Sequence, residues 1–384
     1  MRIAVITSDR QPDVGGGYTF EREIIESLIH ESDNSDHKIY IVARDRSALP
    51  DLAGKLEFIE NDIKYYRGVF KWLQRQRQYK MNLDNKFREL KIDLLWFVGP
   101  TTDIETSLPY ICTVWDVQHR KQPFFPEVGN IIEWEKRNQI YSKSIQRAAM
   151  VIAGNETAKN EIMTYYQIEA ERVCIVPQMT PSYVLKSSRI IELPSNNLPE
   201  NYLFYPAQFW PHKNHVNLLY GLKILKDKYG LCLPLFLTGS DKGNQEYIKR
   251  SAEYLSIQDQ VYFLGYVTQE EMIAYYQHAY ALVYVSLFGP ENLPPLEAMA
   301  LGCPVIAMDV SGMKEQLADR AIYADPENNE SIADQIYSLY SKPELRNKLI
   351  NKGKQRASAW TGIDYVKTVL NKVDNFEYYR RCWE

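Results

Sequence analysis

Short apolar runs alternate with amphipathic stretches along most of the chain. Runs without internal polar alternation are typical of strands that helices cover on both faces of a parallel sheet. Such runs predict strands at 2–8, 38–44, 92–98, 110–116 and 150–154 in the first half, and at 201–209, 233–239, 261–265, 280–286 and 304–309 in the second. Helical patterns lie between them, as at 19–30 and 130–148. This pattern predicts an α/β protein with two doubly wound, Rossmann-like domains.

The alternation is interrupted at 178–200, where Pro, Ser and Asn accumulate, as they do in linkers. We predict an N-terminal domain at 1–182, a linker at 183–200, a C-terminal domain at 201–358 and a helical tail at 359–384 that packs back on the N-terminal domain. Two such sheets are expected to face each other across a cleft. Open α/β sheets bind ligands at the carboxyl ends of their strands, which would line that cleft.

The composition of the chain argues against several classes of function. The 384 residues carry a net charge of −4, which argues against a nucleic-acid partner. The five cysteines are scattered and form no zinc spacing, so we expect reduced thiols and a cytoplasmic location. The first residues contain too short an apolar run for a signal peptide, and no stretch of the sequence is long and apolar enough to span a membrane.

The stretch "SLFGPENLPPLEAMALGCPVIAMD", residues 286–309, carries one candidate site. Pro294 and Pro295 fit the first turn of a helix and Gly302 fits the position past its end, which predicts a short helix over Leu296–Leu301. Glu297 would lie in the first turn of that helix. There it either stabilises the helix dipole alone or accepts hydrogen bonds from sugar hydroxyls.

The loop before that helix and a second turn both favour an anionic ligand. The amides of "GPEN", residues 289–292, lie ahead of a helix N-terminus, a geometry that suits phosphate oxygens. In "YPAQFWPHKNHVNLL", Lys213 opens a helix, where its charge opposes the dipole. A diphosphate would compensate that charge, and a solvated surface lysine is the alternative.

Two weaker signals lie in the first half. Gly15, Gly16 and Gly17 follow the first strand and open a helix, so they permit close backbone approach to a ligand, although the turn is neither a dinucleotide fingerprint nor a P-loop. Asp116 and His119 follow the strand at 110–116 on the expected cleft side. The histidine of such a pair either donates to sugar hydroxyls or polarises a leaving group, and a structural role is the alternative.

Taken together, the motifs resemble the retaining glycosyltransferases of family 4, which have the two-domain GT-B fold. The resemblance covers nearly the whole chain and is most specific at 203–214 and 284–326. "FLGYVTQEEM" at 263–272 and "TVWDVQH" at 113–119 are supporting matches. The motifs occur in the family's order at compatible spacing.

The resemblance implies a role for each candidate residue. The N-terminal domain would be the acceptor side and the C-terminal domain would bind a nucleoside-diphosphate sugar. Glu297 would bind ribose, Lys213 the diphosphate, and the main chain at Gly265 and Tyr266 would flank the nucleobase. The full implied set has Lys213, Glu291, His119 and Asp116 as catalytic residues and Glu297, Gln208, Asn292, Leu293, Gly265, Tyr266, Gly16 and Gly17 as donor-binding residues.

The chain departs from the family pattern in three places. Gly289 stands where the family has a glutamate that contacts the donor sugar, and Glu291 follows two positions later. Gln208 stands where a basic residue usually precedes the lysine, so Lys213 would carry more of the diphosphate charge. Trp115 stands where a histidine often adjoins the aspartate, and His119 is the candidate to replace it.

These observations predict transfer of a hexose from a nucleoside-diphosphate sugar to an acceptor hydroxyl with retention, without metal or cofactor. The expected acceptor is a growing surface glycan or a lipid-linked saccharide. Residues 64–91 carry nine Lys/Arg against two Asp/Glu, which suits either peripheral contact with the inner face of an anionic membrane or a solvated helix. A sugar-nucleotide epimerase or phosphorylase of the same fold and a non-catalytic nucleotide-sugar-binding protein remain as alternatives.

Overall fold

The computed structural model describes most of the chain. The described residues are 1–7, 15–46, 49–52, 54–61, 83–100, 106–187, 189–194 and 198–382. They divide into two compact units. The first unit comprises Met1–Val117, Glu135–Pro177 and Gly362–Glu384, and the second comprises Gln118–Trp134 and Gln178–Thr361. The short segment Gln118–Trp134, which the sequence-based bounds placed in the first domain, thus belongs to the second unit.

The first unit is built on a seven-stranded sheet. Its strands are β1 (Arg2–Ile6), β2 (Lys38–Ala43), β3 (Glu57–Glu60), β4 (Leu94–Phe97), β5 (Tyr110–Thr113), β6 (Met150–Ala153) and β7 (Val173–Ile175). Their order is β3-β2-β1-β4-β5-β6-β7, and all pairs are parallel. Every residue of β4, β5 and β6 is buried, because helices cover both faces of the sheet.

Helices of the first unit include Gly16–Glu31, Glu156–Tyr166 and the C-terminal Gly362–Arg380. A further helix, Ile131–Arg147, continues from the second unit's segment into the first unit, and residues 83–89 are also helical. Helix Gly362–Arg380 packs against helix Gly16–Glu31, where the rings of Tyr365 and Phe20 meet edge to face at 5.6 Å. The predicted helical tail is thus a regular helix of the first unit.

The second unit contains a six-stranded parallel sheet. Its strands are β8 (Leu203–Pro206), β9 (Leu235–Thr238), β10 (Val261–Gly265), β11 (Ala281–Tyr284), β12 (Val305–Met308) and β13 (Ala321–Ala324). They lie in the order β10-β9-β8-β11-β12-β13. The chain therefore turns back on the other side of β8 when it reaches β11. Such a switch point opens a crevice at the carboxyl ends of the two strands, where ligands of open α/β sheets bind.

Ten helices complete the description of the second unit over its described residues. They are Gln118–Lys121, Pro126–Gly129, Ser182–Leu185, His215–Tyr229, Gln245–Tyr254, Gln269–His278, Leu293–Ala300, Met313–Leu317, Asn329–Ser341 and Pro343–Ser358. The helical turn Ser182–Leu185 extends into the segment predicted to be a linker, 183–200, and Thr180, which lies before that segment, forms a β-bridge with Thr361. Over the described residues, no helix has the length and apolar character that crossing a membrane requires.

Candidate functional site

The turn after β8 places Lys213 at the end of a short 3-10 helix, Pro211–Lys213. Asn214 follows with a left-handed φ of 62°, a conformation that asparagine tolerates, and the α-helix begins at His215. The prediction that Lys213 opens this helix is wrong by two positions, because the tight turn comes first. Lys213 therefore lies at the crevice end of β8, one turn ahead of the helix.

The ammonium group of Lys213 is held by hydroxyl groups. Its Nζ atom donates to the hydroxyl of Tyr284 and to Oγ of Ser286, both at 3.3 Å, and lies 5.6 Å from the centre of the Tyr284 ring. The main-chain carbonyl of Lys213 accepts from the Tyr205 hydroxyl at 2.7 Å. Within the described part of the chain, no carboxylate forms an ion pair with this lysine. The side chain is thus a fixed positive charge at the switch point.

Three other candidate residues, Gln208, Gly265 and Tyr266, lie at or just after the ends of strands β8 and β10. The Oε1 of Gln208 accepts from the indole of Trp210 at 2.9 Å, so its amide is oriented within its own turn. The carbonyl of Gly265, a residue with φ of 71°, accepts from the main chain of Gly239 at 3.3 Å. Tyr266, which follows, is 76% exposed. A planar ring this accessible is able to pack against another flat ring.

The loop before helix Leu293–Ala300 is fixed by the side-chain amide of Gln316. The main-chain N–H of Asn292 donates to Oε1 of Gln316 at 3.0 Å, and Nε2 of Gln316 donates to the carbonyl of Asn292 at 2.9 Å. The main-chain N–H of Asn292, which was predicted to face an anion, therefore already donates a hydrogen bond within the protein. Pro294 and Pro295 carry no N–H, so Leu293 is the one residue in the first three positions of this helix with a main-chain N–H that can donate a hydrogen bond.

Glu297 lies in the second turn of its helix, not the first, because the helix begins at Leu293. The dipole interpretation of this residue is therefore wrong. The side chain is buried, with the residue 8% exposed, and its two oxygens accept from the hydroxyls of Tyr183 and Tyr276, each at 2.8 Å. Burial raises the pKa of Glu297, and the two phenol hydrogen bonds oppose that rise. Gly302 lies just past the helix end with φ of 79°, as predicted.

Glu291 is partly buried and binds the main chain of the segment before helix Ser182–Leu185. Its two carboxyl oxygens accept from the N–H of Gln178 at 3.1 and 3.0 Å. Burial raises the pKa of Glu291 to about 8, although the Gln178 hydrogen bond and the charge of Arg356 both lower it. The carboxyl group is therefore able to exchange a proton near neutral pH.

Asp116 and His119 fall in different units. Within the first unit, Oδ1 of Asp116 pairs with Nη2 of Arg137 at 2.7 Å. Burial lowers the pKa of Arg137, but the charge of Asp116 and the neighbouring Tyr141 raise it above its usual value. Within the second unit, His119 is fully buried in helix Gln118–Lys121, and its carbonyl accepts from the indole of Trp134 at 2.7 Å. Their catalytic assignment stays a prediction.

The glycine turn of the first unit begins helix Gly16–Glu31. Gly15 is its N-cap with φ of 79°, a left-handed conformation that favours glycine, whereas Gly16 and Gly17 are the first helical residues. Residues 8–14, which precede the turn, lie outside the described residues. The assignment of Gly16 and Gly17 to the donor stays a prediction.

Sequence reasoning missed several residues of this site. Tyr183 belonged to the predicted linker, and Ser286 was the last residue of a predicted strand. Glu127 was passed over in "QPFFPEVGN", although it contacts both the main chain and the ring of His212. The one available signal was the proline before Glu127, which favours the start of a helical turn and therefore a fixed side chain.

The model of the family "Glycosyl transferases group 1" matches residues 186–356, which lie in the second unit. Among curated relatives, the "O-antigen chain mannosyltransferase RfbU" of Salmonella typhimurium is 29% identical over 54% of this chain and 56% of its own length. The "O-antigen chain mannosyltransferase B" of Escherichia coli is 24% identical over 60% and 61%. The chain thus spans little more than half the length of these two relatives.

Solved structures share the fold over the whole chain. A sucrose-phosphate synthase from Thermosynechococcus elongatus has a TM-score of 0.75 at 16% identity, and the match covers 99% of both chains. Anabaena Alr3699/HepE, solved in complex with UDP, has a TM-score of 0.69 at 15% identity and covers 98% of this chain and 100% of that one. With two parallel α/β sheets in the chain, the fold is the two-domain, Rossmann-like GT-B fold, which confirms the predicted class.

Proposed function

We propose that the protein is a glycosyltransferase that moves a hexose from a nucleoside-diphosphate sugar to a hydroxyl of a glycan. The match of the group 1 family model to residues 186–356 supports the reaction class. Relatives named as O-antigen chain mannosyltransferases support a hexose donor and a role in building a polysaccharide chain. The observation that carries the proposal is Lys213, a cation held by hydroxyl groups at the switch point of the second sheet.

The donor is proposed to bind through three groups of the second unit. The ammonium of Lys213 would contact the diphosphate, and the exposed ring of Tyr266 would flank the base. The carboxylate of Glu297 would bind the ribose, because each of its oxygens accepts one phenol proton and retains lone-pair capacity for a sugar hydroxyl. Gln208, Asn292 and Leu293 remain the proposed secondary donor contacts.

The proposed reaction depends on electrostatic stabilisation of the leaving group. As the bond between the anomeric carbon and the phosphate oxygen breaks, its electron pair goes to the diphosphate, and the ammonium of Lys213 stabilises that charge. The acceptor oxygen forms the new bond on the same face, which retains the configuration. Its proton passes to the departing phosphate oxygen, so the step needs no further reactant.

No metal is required in this scheme, because the charge of Lys213 compensates the diphosphate directly.

We also propose that residues 64–91 contact an anionic membrane on its inner face, which rests on their composition alone. Residues 62–82 lie outside the described residues. Flotation with anionic and with neutral vesicles tests the membrane proposal. If the protein binds neither kind of vesicle, the membrane proposal is wrong, and the proposed transfer reaction is unaffected.

The test of function has two stages. Thermal unfolding with UDP, GDP, ADP and dTDP identifies the nucleotide, which should raise the melting temperature by mass action. The matching nucleotide sugars are then supplied with glycan acceptors, and NMR follows nucleotide release and the anomeric configuration of the product. Transfer with retention supports the proposal. Donor conversion without any acceptor indicates an epimerase, dependence on inorganic phosphate indicates a phosphorylase, and binding without turnover indicates a non-catalytic protein.

A further inference from the structure

Glu127 contacts the residue that precedes Lys213. Its Oε1 atom accepts the main-chain N–H of His212 at 3.0 Å and also contacts Nδ1 of the His212 ring. The two side chains are 6% and 11% exposed, so water competes little for these bonds. Glu127 lies in helix Pro126–Gly129, 85 positions before its partner, and both residues belong to the second unit.

The other groups of His212 are held by the loop after β11. The main-chain carbonyl of His212 accepts from the N–H of Leu287 at 2.9 Å. The imidazole stacks on the ring of Phe288, with 4.0 Å between ring centres and 12° between planes. Glu127 on one side and residues 287–288 on the other thus fix the backbone position from which the side chain of Lys213 extends.

The carboxyl group of Glu127 is costly to bury. Its Oε2 atom is buried and has no hydrogen-bond partner among the described residues, so the desolvation of the carboxylate is compensated mainly by His212. Burial raises the pKa of Glu127, but the hydrogen bonds from His212 lower it below the usual value, which keeps the group charged at neutral pH. A buried oxygen left without a partner calls for a functional explanation, and the neighbouring Lys213 offers one.

We propose that Glu127 is a positioning residue of the diphosphate site: it holds His212, and thereby orients the ammonium of Lys213 for the nucleoside diphosphate. The proposal rests on the function proposed above for Lys213. It requires no contact between Glu127 and the ligand. A group that is oriented before binding loses less conformational freedom when the ligand arrives, so the benefit appears in nucleotide affinity.

A double-mutant cycle tests the proposal. The dissociation constants of UDP, GDP, ADP and dTDP are measured by calorimetry, and the tightest ligand is used throughout. Glu127→Ala should weaken binding about tenfold, because the N–H of His212 loses its acceptor and the turn shifts. Glu127→Gln, which keeps an acceptor oxygen, should recover most of the affinity. In a Lys213→Ala background, Glu127→Ala should cause no further loss, since the group it positions is absent.

Matched controls separate positioning from general destabilisation. Glu133→Ala removes an exposed carboxylate of the same segment and should leave affinity unchanged. If Glu127→Ala does not fold, Glu127→Asp replaces it, because the shorter side chain keeps the charge but cannot reach both groups of His212.

Two results would overturn the inference alone: unchanged affinity in the Glu127 variants, or an equal loss with and without Lys213. If the unmodified protein binds none of the four nucleotides, the proposed function fails and this inference falls with it. That outcome is distinguishable from the first two because it is seen before any substitution is made.

Discussion

The Nζ atom of Lys213 lies 3.3 Å from the hydroxyl oxygen of Tyr284, and that hydroxyl donates its proton to Oδ1 of Asn292 at 2.7 Å. The amide nitrogen of Asn292 in turn donates to the carbonyl of Gly289 at 3.2 Å. This chain of hydrogen bonds connects the turn after β8 to the loop after β11. The lysine and the loop are therefore oriented together before any ligand binds.

Lys213→Ala should reduce turnover about a hundredfold or more, because the charge that develops on the leaving diphosphate loses its stabilising cation. Folding should be retained, since the lysine forms no ion pair among the described residues. The checks are steady-state kinetics of the identified donor and circular dichroism. Lys226→Ala is the matched control, because Lys226 is an exposed lysine of helix His215–Tyr229. Equal turnover in the two variants would contradict the role of Lys213.

Glu297→Ala should lower the free energy of unfolding by about 2–4 kcal/mol, because the hydroxyls of Tyr183 and Tyr276 lose a buried acceptor. Urea denaturation measures this change. Glu246→Ala serves as control, since Glu246 is an exposed glutamate in the first turn of helix Gln245–Tyr254 and contributes about 0.3–1 kcal/mol through the dipole. Similar losses in both variants would show that the buried hydrogen bonds of Glu297 are unimportant.

Glu291 should make stability depend on pH. Its pKa is raised from 4.5 to about 8 in the folded protein, so the folded state binds the proton more tightly than the unfolded state. Its stabilising contribution is therefore complete below the unfolded pKa and is lost as pH rises through the folded one. Urea denaturation of the unmodified protein and of Glu291→Gln between about pH 5 and about pH 8 isolates this residue. As pH rises, the free energy of unfolding of Glu291→Gln should increase relative to that of the unmodified protein. A difference between the two that stays constant with pH would rule out the raised pKa of Glu291.

Gly239→Ala should destabilise the second unit by roughly 2–4 kcal/mol. The φ of Gly239 is 151°, and an added Cβ would lie 2.4 Å from the carbonyl oxygen of Ala207 and 2.8 Å from the nitrogen of Gln208. The turn that carries Gln208 would have to move. Gly243→Ala is the comparison, because Gly243 also has a positive φ of 91° but has no atom within 4 Å of an added Cβ. Thermal unfolding of both variants separates the clash from backbone strain, and equal losses would exclude the clash.

Much of the architecture follows from local sequence. The apolar runs predicted ten of the thirteen described strands, since a strand buried on both faces has no polar alternation whatever its neighbours are. The three strands β3, β7 and β13 were not predicted. Gly302 was predicted correctly because a left-handed residue past a helix end is a local requirement. The start of helix Leu293–Ala300 was predicted three positions late, at Leu296, because Leu293 and the two prolines also adopt the helical conformation.

The sequence by itself determined the two parallel sheets and the position of Lys213 after the first strand of the second sheet, because burial and turn chemistry act over a few neighbouring residues. Only the tertiary structure decided which distant residues form hydrogen bonds with each other. Tyr183 reaches Glu297 across 114 positions and Glu127 reaches His212 across 85. Such pairs depend on strand order and on how distant segments pack, and no local pattern of apolar and polar residues encodes that choice.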